Sequence, residues 1–200
     1  MFQTTIWTTI RNAGQRDPAA LERLATRYRP AILAFVRGKG FGPDDAEDLC
    51  QDVFVRMLAG GVLTRADSAK GRFRSLVLAV SMHVIADRRR RSVGRSETEP
   101  LPEEAAASAP DREPEFDRAW VLHLAETAMT QMREMGSPYY EVLRDHVDGK
   151  PTDRNKVWIA RGKLVALIRR EIAFTCESHE EFEEEARYLA TFLRPDSKKV

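Results

Sequence analysis

Cysteine is scarce in this chain: two in 200 residues, Cys50 and Cys176, far apart and in no CxxC or Cys/His pairing. Neither a disulfide framework nor a zinc site is expected, and both thiols read as reduced side chains on helices. Long apolar runs are missing as well, since no stretch approaches the roughly 20 residues that a membrane span requires. Met1 to Ile10 lacks the basic region and apolar core of a secretory leader, so the expectation is a cytoplasmic protein with no membrane association. Alternating apolar patterns, Asn-Gly hairpins and internal repeats are absent too, which leaves no signal for a sheet.

Catalytic signatures are equally thin. The four histidines are scattered, and there is no GxSxG, HExxH or GxxxxGK[ST]. The acid clusters Asp44/Asp45/Glu47/Asp48/Asp52 and Glu180/Glu181/Glu183/Glu184/Glu185 lack the alternating oxygen-ligand spacing of a calcium loop. They read as binding surfaces or solvated faces. His83 and Asp87, four residues apart, are placed to pair on one helix. No enzyme, metal or cofactor is expected.

Charge of one sign does not dominate, for the formal net charge is +1. The signs are segregated, however: about +8 over residues 1–95, about −7 over 96–136, about +3 over 137–175 and about −3 thereafter. An electroneutral chain of this kind can still present a basic domain to nucleic acid.

What is present is helical punctuation. Asp17-Pro18 provides an N-cap and a proline at the first helical position, and Leu21, Leu24, Tyr28, Ile32 and Phe35 follow at helical spacing. Gly38 to Gly42 breaks that helix. Pro43-Asp44-Asp45 starts the next with two acids favourably placed in its first turn, and Ala46, Leu49, Cys50, Val53, Phe54, Met57 and Leu58 form its apolar stripe. Gly60-Gly61 ends it. A third helix starts at Arg72 or Phe73, is apolar nearly all round, and closes on Arg88-Arg89-Arg90-Arg91; Phe73 falls in step with its core positions. Ser92 to Glu115, rich in Pro, Ala, Ser and Glu, reads as a mobile acidic linker.

Beyond it, Phe116, Trp120, Leu124, Ala128, Met132 and Met135 share a helical stripe. A short helix is predicted around Pro138 to Val147, a longer one capped by Thr152 or Asp153 and running to about Phe174, and a last one opened by the capping box Ser178-His179-Glu180-Glu181 and running to about Leu193. The expected fold class is all-α. The divisions are 1–91, an N-terminal helical bundle; 92–115, the linker; 116–195, a small helical domain with an extension helix; and 196–200, a tail.

Taken together, the first three helices resemble region 2 of the extracytoplasmic-function sigma factors of the sigma-70 family. "GPDDAEDLCQDVFVRML" is similar to the segment with which that family binds core polymerase, and "GRFRSLVLAVSMHVIADRRRR" to the segment that recognises and melts the promoter −10 element; Tyr28-Arg29-Pro30 also suits the family. The resemblance covers about the first 95 residues. It implies a factor that binds core RNA polymerase, on the clamp helices of the largest subunit, and opens promoter DNA. On that basis Asp48, Gln51, Asp52 and Arg56 would contact polymerase, Arg72, Arg74, Arg88, Arg89, Arg90 and Arg91 would contact −10 DNA, and the loop from Gly61 to Gly71 would hold a flipped base. Two departures stand out: Leu76 where many members carry an aromatic, and His83 where asparagine is common.

The second half resembles a shortened region 4. "EVLRDHVDGKPTDRNKVWIARGKL" passes from the turn at Gly149 almost directly into a segment similar to a recognition helix, without the usual "EIAxxLGxSxG" passage. Arg154, Asn155, Lys156 and Arg161 would meet −35 DNA if reading survives; a basic helix packed on Trp120 and the C-terminal helix is the other reading. An anti-sigma or other regulatory protein is a further candidate partner. The alternative function is a sigma-derived adaptor that binds polymerase or another protein and has lost −35 reading.

Overall fold

The computed structural model describes residues 6–59, 61–66, 72–92, 94, 113–176 and 178–193. The described residues form eight α-helices and no strand. They are α1 (Ile6–Gly14), α2 (Pro18–Gly38), α3 (Pro43–Ala59), α4 (Phe73–Ser92), α5 (Pro114–Glu134), α6 (Pro138–Val147), α7 (Arg154–Ala173) and α8 (His179–Leu189), with a 3₁₀ turn at Ala190–Leu193. The all-α expectation is met. Residues 67–71 of the expected base-holding loop, most of the expected linker, and the tail lie outside the described residues.

The punctuation acts as read. The Asp17 carboxylate accepts from the amides of Ala19 and Ala20 at 3.3 and 3.2 Å, with Pro18 at the helix start. Asp153 accepts from Lys156 N–H at 2.8 Å, and Ser178 Oγ from Glu181 N–H at 3.1 Å. Gly149 supplies the left-handed turn, φ 72°, between α6 and α7. Helix α2 continues through Pro30, which lacks the N–H that would bond the carbonyl of Thr26; burial of Tyr28, Ala31, Ile32 and Phe35 around it holds the helix together.

The sequence punctuation predicts no helix before Asp17. The structure forms α1 there, burying Trp7, Ile10 and Ala13. Gly14 closes it against the 61–64 turn, where a Cβ would stand 3.0 Å from the Thr64 methyl and 3.2 Å from its backbone nitrogen.

Helices on either side of the expected linker share a core. Tyr28 on α2 stacks on Trp120 of α5 and meets Phe73 of α4 edge-on at 5.3 Å, Trp7 meets Phe73 at 6.1 Å, and Phe35 meets Phe116 at 5.6 Å. Ile168 and Ile172 of α7 and Phe182, Ala186 and Leu189 of α8 complete it. Phe73 is buried, as its phase implied. A second, smaller cluster of Met132, Leu143 and Ala160 joins α5, α6 and the front of α7. No described helix is long and apolar enough to cross a membrane.

Candidate nucleic-acid and partner interface

Helix α3 buries Ala46, Leu49, Cys50, Val53 and Met57 against α2 and α4. A helix repeats every 3.6 residues, so this stripe leaves Asp48, Gln51 and Asp52 together on the solvent side, where all three are exposed. Val55 continues the same face at 59% exposure, an apolar side chain set in an acidic surface. Sequence reasoning passed over it, although its phase, out of step with Val53 and Met57, was the available signal.

Arg56 does not join that face. Its guanidinium turns toward α4, 3.0 Å from Asp87 Oδ2 and 2.6 Å from His83 Nε2. Asp87 is 1% exposed, and it also meets Arg90 and, at 3.4 Å, His83. A buried carboxylate needs such partners, so Arg56 is anchored within the bundle, and the expected His83–Asp87 pair is part of that anchor.

The arginines at the end of α4 lie at the surface beside the turn between α2 and α3. Arg88 pairs with Asp45, Arg89 donates to the Lys39 carbonyl at 2.9 Å and lies over the Phe41 ring, and Arg91 is exposed. Opening that turn, Lys39 bridges Glu115 at 2.7 Å and Glu113 at 3.2 Å.

The start of α4 is different. Arg72 faces α8, 3.2 Å from Glu185 and 3.4 Å from Glu184. Arg74, expected to face phosphate, is 3% exposed. It pairs with Asp117 of α5 and with Glu185 of α8 at 2.9 Å, and lies over the Tyr188 ring. Asp117, also buried, accepts in addition from the Tyr188 hydroxyl and, at 3.1 Å, from the amide of Glu113. Burial works against the Arg74 charge, but the carboxylates of Glu185 and Asp117 outweigh it and its pKa stands raised. The same burial pushes the Asp117 carboxyl upward, against the pull of Arg74 and Tyr188. In this arrangement Arg74 is closed to any phosphate, because two helices from the second half cover it.

Helices α6 and α7 form a hairpin around the Gly149 turn. Arg154, Asn155 and Lys156 are exposed on the first turn of α7. Arg161 is exposed one face further on, with its guanidinium 3.0 Å from His146 Nε2. From Arg154 to Arg170 the helix carries cations and no acid. Its buried positions, Val157, Ala160, Ile168 and Ile172, leave Trp158 77% exposed between Arg154 and Arg161 in sequence; Val147, the last residue of α6, is 81% exposed. Past the far end of α7, Phe174 lies 5.1 Å, and Trp120 of α5 5.6 Å, ring centroid to guanidinium carbon, from Arg27 of α2.

Residues 24–94 match the Sigma-70 region 2 family. The match runs from Leu24 on α2 to Gly94 just past α4, and so takes in the acidic face of α3 and the arginines of α4. The likeness to a sigma-70 region 2 over this span supports a sigma factor role in RNA polymerase binding and promoter melting. No curated protein and no solved structure matches the chain.

Proposed function

We propose that this chain is a cytoplasmic sigma factor of the extracytoplasmic-function type, which docks on core RNA polymerase through α3 and directs promoter opening through α4. The observation that carries the reading is the exposed set Asp48, Gln51, Asp52 and Val55, presented by a helix inside the region 2 match. Acids around one apolar side chain suit a basic partner surface with a small apolar centre, and the clamp helices of the largest polymerase subunit are the partner the family resemblance implies.

Arg88 to Arg91 supply sequence-independent phosphate contacts. Arg72 and Arg74 add to them once uncovered. The α6–α7 hairpin is an abbreviated region 4 that places Arg154, Asn155, Lys156 and Arg161 for weak contacts, so −10 sequence dominates promoter choice. Multi-round transcription with core polymerase on genomic fragments tests the reading. Discrete transcript starts sharing a −10 motif support it, and their absence alongside intact polymerase binding favours an adaptor. The exposure of Trp158 and Val147 favours that second reading, since large apolar side chains suit a protein partner better than phosphate.

A further inference from the structure

Helix α8 carries five glutamates between residues 180 and 185. Three of them, Glu181, Glu184 and Glu185, fall at i, i+3 and i+4, a spacing that gathers them on one side of the helix. That side lies against the start of α4: Arg72 Nε is 4.0 Å from Glu181 and 3.2 Å from Glu185, its Nη2 is 3.4 Å from Glu184, and Arg74 Nε is 2.9 Å from Glu185. A row of carboxylate oxygens over two guanidinium groups has the charge and hydrogen-bonding character of a phosphate backbone. Besides these pairs, Phe182, Ala186 and Leu189 of α8 pack into the shared core, the Tyr188 hydroxyl donates to Asp117, and Glu183 reaches Arg169 at 2.7 Å.

We infer that α8 is an intramolecular nucleic-acid mimic, which occupies the Arg72/Arg74 surface and must be displaced before that surface takes up DNA. The inference rests on the assignment of Arg72 and Arg74 to DNA made above. Closure leaves the α3 face and Arg91 open, so polymerase can engage the closed chain while the entry to α4 stays covered. Displacement trades carboxylate partners for phosphates, and so depends on DNA being delivered at high local concentration, as it is on polymerase.

The test uses the full chain and a fluorescent single-stranded promoter fragment, with anisotropy read across a salt series. E181Q/E184Q/E185Q is expected to bind at least about tenfold more tightly and to steepen the salt dependence by roughly 0.7 per phosphate contact uncovered. A charge-matched control, E22Q/E126Q/E134Q, alters exposed acids that meet neither arginine and is expected to shift affinity far less. Adding R72A to the α8 triple variant should cancel most of its increase.

If the α8 triple variant binds no better than the control while R72A weakens the wild type, Arg72 already meets DNA and the occlusion is overturned with the assignment intact. If neither change has any effect, the assignment of Arg72 fails and the inference with it. Glu185 is buried against Arg74, so E181Q/E184Q, which keeps that pair, serves as the milder variant and should move in the same direction. Amide hydrogen exchange on the wild type gives an independent reading: residues 179–189 should lose protection when DNA is bound, and unchanged protection in the complex overturns the proposal.

Discussion

The Tyr28 and Trp120 rings lie face to face, 2° from parallel with centroids 4.8 Å apart, and join α2 to α5. Tyr28 also meets Phe73 of α4 edge-on, so one side chain ties α2 and α4 to the half of the chain beyond residue 113. Its hydroxyl is buried with no hydrogen-bond partner among the described residues, and burial pushes its pKa up to about 12.

The ring and the hydroxyl should therefore separate by mutation. Trp120→Ala empties the centre of the core and is expected to cost about 3 to 5 kcal/mol of unfolding free energy. Tyr28→Phe removes an unsatisfied polar group while keeping the stack, so it should leave stability unchanged or raise it by about 1 kcal/mol. Urea denaturation followed by tryptophan fluorescence and by circular dichroism checks both; a loss for Tyr28→Phe equal to that of Tyr28→Leu would show that the hydroxyl contributes.

Asp87 holds Arg56, Arg90 and His83 from a site that is 1% exposed. Asp87→Ala removes the buried carboxylate that Arg56 and Arg90 share, and a loss of about 3 kcal/mol is expected, the low end for breaking a buried pair because the arginines keep part of their water. Arg56→Lys retains charge without the forked geometry and should lose less. Thermal unfolding orders the two; equal losses would mean that the forked guanidinium, and not charge alone, carries the contact.

His123 gives the stability a pH dependence of defined sign. Burial lowers its pKa below the usual 6.5, and Arg27 lowers it further, against the upward pull of Glu126 and Glu171. The unfolded chain then takes up a proton at higher pH than the folded one, so this contribution is full above 6.5 and is lost as pH falls through the window beneath it. His123→Asn should flatten that part of the profile. Denaturant midpoints for both proteins at steps above and below pH 6.5 report it, and parallel profiles would exclude His123 as the source.

Val55 and its acidic neighbours should behave as a binding surface without a folding role. Asp48→Lys with Asp52→Lys is expected to abolish co-elution with core polymerase. Val55→Glu should weaken it by about 1 to 2 kcal/mol, the scale of a desolvated anchor. All three positions are exposed, so unfolding midpoints should stay within about 0.5 kcal/mol of wild type. Wild-type affinity in the lysine variant would remove α3 from the interface.

Much of this molecule follows from short-range sequence. Pro43-Asp44-Asp45 starts α3, the stripe from Ala46 to Met57 sets which side is buried, and Asp48, Gln51 and Asp52 are thereby exposed. The caps at Asp17, Asp153 and Ser178 act on amides two or three residues away, a range over which sequence and structure are nearly the same thing. The fate of the arginines is a different matter. Periodicity identifies the side of a helix on which a charge stands, but its partner comes from wherever the chain returns: Arg74 meets Asp117 and Glu185, 43 and 111 positions away, and Arg56 meets Asp87, 31 positions away. A guanidinium at the end of a long side chain pairs equally well with phosphate, water or carboxylate. Only the packing of α5 and α8 on α4 decided that Arg74 would be buried among acids while Arg91 remained in solvent.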